Sequence, residues 1–461
     1  MKKYDAIIIG SGQAGVPLAK KLAKAGKKTV LIEKRYIGGT CVNDGCTPTK
    51  TWVGSAKMAY MADKSAYLGV KIKDYKIDMR RIKKRKDDIV LNARNGSLQA
   101  LEDTRNLAVI FGEASFTGEK IILIELNEGG TLQVTADLIF INTGTKALIP
   151  EIDGLNEIDY LTNTSILELE KVPKHLLVLG ANYIGMEFGQ MFSRFGSKVT
   201  LLERSQRILS REDSDIAEEM HKLLNDEQIE IYVDAKTTSF KKTKKGNIKA
   251  MVTIGGKEQK ITCSNVLIAT GRVPQTEALQ LDKTRVKVNE KGYIIVDDKL
   301  QTNVPGIYAL GDVNGGPAFT HIAYNDYTIV YRNIIEKQNI STKNRLLPYC
   351  MYTDPQLGRV GISEEEAQKQ GLNVKIAKLP MAHVARAIEV GDTRGFMKAV
   401  VDPKTKKILG AAVLGQEGGE IMTVLQMAME GGITYDTLRY FVFAHPSYSE
   451  SINNLFLGLV D

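Results

Sequence analysis

Short runs of apolar residues, each closed by a glycine or an acidic side chain, set the rhythm of this chain. Tyr4 to Ile9 reads as a buried strand, and Gly10-Ser11-Gly12-Gln13-Ala14-Gly15 as a turn opening a helix through Ala25-Gly26. Thr29-Val30-Leu31-Ile32 is then a second strand, ending at Glu33. The pattern returns at His175-Leu176-Leu177-Val178-Leu179, continues through Gly180-Ala181-Asn182-Tyr183-Ile184-Gly185-Met186-Glu187, and closes at Val199-Thr200-Leu201-Leu202-Glu203. Apolar strands also precede Ile141-Asn142-Thr143-Gly144, Ala269-Thr270-Gly271-Arg272 and Gly311-Asp312. Strands alternating with helices in this way predict an α/β fold.

Glycine at Gly10, Gly12 and Gly15 permits a tight turn, close approach of backbone N–H groups to a pyrophosphate, and close packing of the helix on the sheet. The helix N-terminus adds favourable charge. Glu33 lies about twenty residues on, the spacing for an acid that holds ribose hydroxyls. The second copy predicts a second nucleotide, with Glu203 on its ribose diol, which favours NADH, while Arg204 and Arg207 would suit the 2′-phosphate of NADPH. Asn182 replaces the middle glycine, a change that asparagine's tolerance of left-handed backbone would make mild. Asp312, at a strand end before Gly315-Gly316, is a candidate for a ribityl hydroxyl.

Between the first two strands' turn and the rest of the chain lies Gly38-Gly39-Thr40-Cys41-Val42-Asn43-Asp44-Gly45-Cys46-Thr47-Pro48-Thr49-Lys50. Two cysteines in a glycine-rich loop, directly after a dinucleotide motif, read as a redox-active dithiol beside a flavin. A helix is expected from Pro48 through Tyr60, proline suiting its first turn, and a thiolate near that N-terminus gains from the helix dipole. A structural disulfide and a zinc half-site are the alternatives. Zinc would need two more ligands, and Cys263 and Cys350 read instead as buried small hydrophobes, so no metal site is expected.

The chain has 461 residues, 43% hydrophobic and 25% charged, enough for about three domains. No run of about 18 apolar residues and no signal-like start is present, and four cysteines are too few for a secreted disulfide framework. A cytoplasmic protein without membrane association is expected. The net charge of +8 and the run Arg80-Arg81-Ile82-Lys83-Lys84-Arg85-Lys86 raise nucleic-acid binding. The run fits an amphipathic helix, Met79 to Asn95, with Ile82, Ile89 and Val90 inward and solvated lysines, so no nucleic-acid partner is expected.

Taken together, the Gly10 and Gly180 turns, the Cys41/Cys46 loop, Gly311-Asp312 and the terminal His445-Pro446-Ser447-Tyr448-Ser449-Glu450 closely resemble the class I pyridine nucleotide-disulfide oxidoreductases. That family includes dihydrolipoyl dehydrogenase, glutathione reductase and mercuric reductase. The dithiol loop, Tyr160 to Ser165 and Tyr352-Thr353-Asp354-Pro355-Gln356-Leu357-Gly358-Arg359-Val360-Gly361 look most like the mercuric-reductase-like members, and hypothiocyanous-acid reductases share much of this pattern.

The resemblance implies two Rossmann-like domains, for FAD and for NADH or NADPH, plus a C-terminal α+β dimerisation domain in a homodimer. It divides the chain into a first FAD-binding part at 1–150, an NAD(P) domain at 151–274, a second FAD-binding or central part at 275–345, and a dimerisation domain at 346–461. The cofactor-binding residues it implies are Gly10, Gly12, Gly15, Glu33, Gly39, Thr40, Lys50, Thr143, Gly144, Gly180, Asn182, Gly185, Glu203, Gly271, Gly311 and Asp312. It makes Cys46 the flavin-contacting sulfur and Cys41 the interchange thiol that attacks an oxidised substrate. Lys50 would pair with Glu187 near the reactive edge of the flavin, and His445 with Glu450 would move protons at the partner subunit's dithiol. His383 is expected to be a surface or packing residue.

True mercuric reductases carry a vicinal cysteine pair near the C-terminus, and Phe441 to Asp461 contains no cysteine. The expected activity is therefore reduction of a small disulfide or thiol-reactive oxidant, with hypothiocyanous acid the sharpest choice and dihydrolipoyl dehydrogenase the alternative.

Overall fold

Lys2–Ile9 has a parallel strand on either side, Thr29–Glu33 and Thr131–Ile141. Its Ile7 and Ile8 point to opposite faces and are both fully buried, which is why this strand reads as a continuous apolar run. In the computed structural model, which describes residues 1–459, the chain forms two compact units. One comprises Met1–Thr51, Lys83–Leu148 and Gly271–Arg345, and the other Trp52–Ile82, Ile149–Thr270 and the chain from Leu346 onward.

In the first unit, Leu107–Gly118 extends the parallel sheet beside Thr29–Glu33, and Ile307–Ala309 extends it beside Thr131–Ile141. Ile121–Leu126 folds back antiparallel to its two neighbours in sequence. The helix Gly15–Lys24 buries Leu18, Ala19, Leu22 and Ala23 on one face, as the spacing requires. A two-stranded pairing of Thr145–Ala147 with Arg272–Pro274 joins the points where the chain leaves and re-enters this unit.

The basic helix runs Met79–Glu102, past the expected end at Asn95, because Leu98 and the fully buried Leu101 continue its apolar stripe. The lysines are not all solvated: Lys86 is 3% exposed and lies 2.5 Å from Asp87. Buried apolar area from its stem and the adjacent carboxylate offset the loss of water around its ammonium.

In the second unit, five strands run parallel around His175–Leu179, with Lys198–Leu202 and Asn265–Ile268 as its neighbours. The helix Tyr183–Arg194 follows the second glycine turn. Three antiparallel strands, Ala235–Lys242, Ile248–Ile254 and Lys257–Cys263, form a separate sheet that buries Cys263. The C-terminal part is a five-stranded antiparallel sheet built on Gln356–Gly361, Ile408–Gly415 and Phe396–Val401, with the helix Gly418–Glu430 packed on it. Two dinucleotide-type sheets and a C-terminal α+β part are thus the observed architecture. Cys350 departs from expectation in being only half-buried, its thiol donating to the Met351 carbonyl at 3.5 Å. Among the described residues, no helix is long and apolar enough to cross a membrane.

Candidate redox site

The two glycine turns repeat each other atom for atom at their tightest points. Gly10 and Gly180 both have φ of 99°, and a Cβ on either would sit 2.4 Å from a carbonyl oxygen, of Asn142 and Ala269 respectively. A Cβ on Gly15 or Gly185 would come within 2.1 or 1.9 Å of the Gly10 or Gly180 carbonyl, so each helix starts hard against its own turn. The acids match too. Glu33 Oε2 accepts from the Ser11 amide at 3.0 Å and Oε1 from the Arg35 amide at 2.8 Å. Glu203 Oε2 accepts from the Ala181 amide and Oε1 from the Ser205 amide, both at 2.9 Å.

Gly12 and Asn182 differ for a reason the sequence pattern does not carry. Asn142 sends its side chain into the first turn, accepting from the Gly15 amide at 2.9 Å and donating to the Leu310 carbonyl at 2.8 Å. A Cβ on Gly12 would lie 2.8 Å from that Oδ1. Asn182 is not left-handed but extended, at φ −106° and ψ −173°, and caps the helix Tyr183–Arg194 by accepting from the Tyr183 amide. The expected use of asparagine's left-handed tolerance is therefore replaced by helix capping.

The first turn's surroundings fit a dinucleotide. Thr143 Oγ1 is buried without a hydrogen-bond partner among the described residues, beside a turn where no Cβ fits. Gly39 presses on Gly12, a Cβ there meeting Gly12 Cα at 2.7 Å, and Thr40 follows exposed. Gly144 and Gly271 have positive φ with no backbone pressed against them. Asp312 lies in the short turn Gly311–Asn314, and its Oδ2 accepts from Thr145 Oγ1 at 3.0 Å. Arg272 Nε donates to the same Thr145 oxygen at 2.7 Å, so a half-buried guanidinium, a hydroxyl and the carboxylate form one chain of contacts. The Gly311 amide is held by Asp326 at 2.9 Å. Burial raises the Asp326 carboxyl despite its ion pair with Arg345.

Cys41 sits half-buried in the short helix Gly39–Asn43, and Cys46 is the first residue of the 19-residue helix Cys46–Lys64. That helix starts two residues before Pro48 and runs past Tyr60, placing the exposed Cys46 sulfur at its positive end. Cys46 Sγ lies 3.3 Å from Thr320 Oγ1, at the start of the helix Thr320–Ile334. The Cys41 thiol is pushed well up: its hydrogen bond with Cys46 acts most, then burial and the Cys46 charge, against smaller opposing effects of Thr320 and Lys50. In the reduced pair, the neighbouring Cys46 and burial thus hold the proton on Cys41. Lys50 lies one turn along the same helix.

His445 Nδ1 is within hydrogen-bond distance of both Glu450 oxygens, and the ring is largely exposed. Tyr448 between them is half-buried, and burial, with the charges of Asp392 and Glu417, pushes its phenol up to about 12. Glu187 is buried on the helix Tyr183–Arg194 and accepts from the Tyr352 amide at 2.8 Å. Lys50 and the dithiol belong to the first compact unit, and Glu187, His445 and Glu450 to the second. His383 is exposed in the turn Met381–His383. Of the two arginines considered for a 2′-phosphate, Arg207 is committed to Glu365 through two 2.8 Å bonds and to the Glu212 carbonyl, whereas Arg204 is exposed. Among the described residues, no group of three or more His, Cys, Asp or Glu side chains is set to hold a metal ion.

Asn142, Thr145, Arg272 and Thr320 are the residues of this site that sequence reasoning left out. Only the apolar-strand signatures around Asn142 and Arg272 pointed near them.

Known proteins share this sequence and fold. The family model described as pyridine nucleotide-disulphide oxidoreductase matches residues 4–326, and the dimerisation-domain model of the same family matches 347–456. A probable pyridine nucleotide-disulfide oxidoreductase of Escherichia coli (strain K12), RclA, is 38% identical over 99% of both chains. The solved Cu(II) complex of that protein, described as an HOCl-induced flavoprotein disulfide reductase, has a TM-score of 0.91 with 99% of each chain covered. A mercuric reductase of Bacillus cereus is 36% identical over 97% of this chain and 70% of its own length. A dihydrolipoyl dehydrogenase of Thermus scotoductus is 33% identical, covering 98% of this chain and 96% of the relative.

Proposed function

This chain belongs to the pyridine nucleotide-disulphide oxidoreductases, and from that membership we propose that it carries electrons from NADH or NADPH through FAD to Cys41 and Cys46, and on to a small disulfide or thiol-reactive oxidant. The observation that carries the reading is the Cys41–Cys46 pair beside the first nucleotide turn, with Cys46 at a helix N-terminus and its sulfur 3.3 Å from Thr320 Oγ1. FAD would be held by Gly10, Gly12, Gly15, Glu33, Gly39, Thr40, Thr143, Gly144, Gly311 and Asp312, and when bound supplies two-electron exchange between reduced nicotinamide and the Cys41–Cys46 disulfide. NAD(P) would lie on Gly180, Asn182, Gly185 and Glu203, with Gly271 alongside. The commitment of Arg207 to Glu365 supports NADH over NADPH.

The residues' own chemistry follows from their order. Cys41, relieved of its proton, attacks the electrophilic sulfur of the acceptor and forms a mixed sulfur–sulfur bond while the acceptor's leaving group departs with the electron pair. Cys46 thiolate then displaces the remaining acceptor fragment from Cys41, closing the disulfide. With hypothiocyanous acid, the acceptor we favour, the departing groups are hydroxide (water once protonated) and thiocyanate. His445 takes the Cys41 proton and returns it to a leaving group, with Glu450 orienting the ring. Because the family's dimerisation model covers 347–456, we assign the protein a homodimer in which His445 and Glu450 serve the partner's dithiol. Lys50, paired with Glu187, would stabilise charge at the flavin. The three domain boundaries read from the sequence, at 150, 274 and 345, serve as the working division.

Hypothiocyanous acid and lipoamide, offered separately as acceptors for NADH oxidation, test the reading. Turnover with hypothiocyanous acid that disappears in Cys41→Ser is the expected result. Turnover with lipoamide alone would instead make the protein a dihydrolipoyl dehydrogenase.

A further inference from the structure

We infer that Arg35 and Arg94, both set over the ring of Tyr36, clasp the turn between the two cysteines and fix the charge that the dithiol feels. Arg94 Cζ lies 3.8 Å and Arg35 Cζ 5.4 Å from the Tyr36 ring centroid. Each guanidinium continues to a different residue of the turn. Arg94 Nε donates to Asn43 Oδ1 at 2.9 Å, and Arg35 forms an ion pair with the Asp44 carboxylate. Asn43 in turn donates to the carbonyls of Ile37 and Gly39, at 3.1 and 2.9 Å. The segment joining Cys41 to Cys46 is therefore tied at two successive residues to the end of the strand Thr29–Glu33 and to the helix Met79–Glu102.

A carboxylate in this place has an electrostatic consequence. Asp44 stands two residues before Cys46, and its side chain is only 16% exposed. A negative charge held near a thiolate disfavours that thiolate, and the penalty grows as water is excluded. The half-buried Arg272 feels the charge of both Asp44 and Cys46, so the Asp44 carboxylate also competes with the sulfur for that cation. Arg35 lessens the conflict by pairing with Asp44 from the solvent side. Its backbone amide meanwhile holds Glu33 at 2.8 Å, so one residue orders the ribose acid and neutralises the dithiol turn. Arg35 and Arg94 are positioning residues, and Tyr36 is the surface that keeps them in place. The inference rests on the dithiol reading given above.

The test follows iodoacetamide labelling of Cys41 and Cys46 against pH in the NADH-reduced holoenzyme, read peptide by peptide by mass spectrometry. Arg35→Met should move the labelling midpoint to higher pH by about half a pH unit or more, a roughly threefold loss of labelling rate at neutral pH. Asp44→Asn added to that variant should bring the midpoint back to the wild-type value or below. Loss of a clasp with no electrostatic role would be worsened, not relieved, by the second change. A profile of Arg35→Met that superimposes on wild type, or a double variant as alkaline as the single one, overturns the inference. Should Arg35→Met fail to fold, Asp44→Asn alone decides: a midpoint moved lower supports the inference and one moved higher overturns it. Failure of the dithiol reading itself looks different, as wild-type enzyme in which NADH leaves the labelling of Cys41 and Cys46 unchanged, and it removes the inference as well.

Discussion

His445 Nδ1 stands 2.9 Å from Glu450 Oε2 and 3.1 Å from Oε1, so the carboxylate occupies one end of the imidazole and leaves Nε2 as the end available for proton transfer. With the Nδ1 proton directed at Glu450, Nε2 is an acceptor, the form that the proposed proton transfer from Cys41 requires. Glu450→Gln should lower turnover by about tenfold to a hundredfold, and His445→Ala by about a hundredfold or more. Stopped-flow traces should show flavin reduction by NADH unchanged and reoxidation by the acceptor slowed.

The paired glycine turns allow the two proposed nucleotide sites to be separated genetically. At Gly10 a side chain meets the Asn142 carbonyl at 2.4 Å with φ at 99°, and Gly180 meets Ala269 in the same way. Gly10→Ala should yield protein purified with most of its flavin missing. Gly180→Ala should keep flavin, seen in the absorption spectrum, yet lose its reduction by NADH.

The apolar-run pattern made the sheets and both nucleotide turns legible, since each is a local signal of strand, turn and helix within about thirty residues. What the pattern missed lies in contacts between distant segments. Asn142 meets Gly15 across 127 positions, and Thr320 meets Cys46 across 274. Neither residue type has a spacing that betrays such a role. The Asn182 cap could be read only once its backbone was known to be extended, and Lys86 escaped notice because charge periodicity carries no information on what covers a helix. His445 and Glu450 were visible as a pair because they are only five residues apart.

Arg194 is a structural test of the second unit. Its guanidinium, 5% exposed, reaches Glu227 and Asp354 at 2.7 Å each and lies 4.0 Å from the Tyr60 ring centroid. Arg194→Met leaves the Glu227 and Asp354 carboxylates with Arg394 but without this partner, which should cost about 1–3 kcal/mol, read as a lower urea midpoint.

Acid sensitivity should follow the neighbouring cluster. Burial raises the Asp392 carboxyl, but two 2.7 Å bonds from Arg394, its charge, and Gln416 outweigh this and hold it below the ordinary carboxylate value. A lowered folded-state value means stability that is present above the unfolded carboxylate value of about 4 and is lost as pH falls through the folded one. Asp392→Asn should therefore be less stable than wild type at neutral pH, with the difference shrinking below about pH 4 in pH-dependent thermal melts.

The most direct measurement is a count of alkylated cysteines at positions 41 and 46 in the purified, air-oxidised holoenzyme, before and after one equivalent of NADH under anaerobic conditions. The account predicts that both are protected as a disulfide before NADH and both are labelled afterwards, while Cys263 and Cys350 do not change. Free labelling of Cys41 and Cys46 before any NADH is added, with no change on its addition, would contradict it.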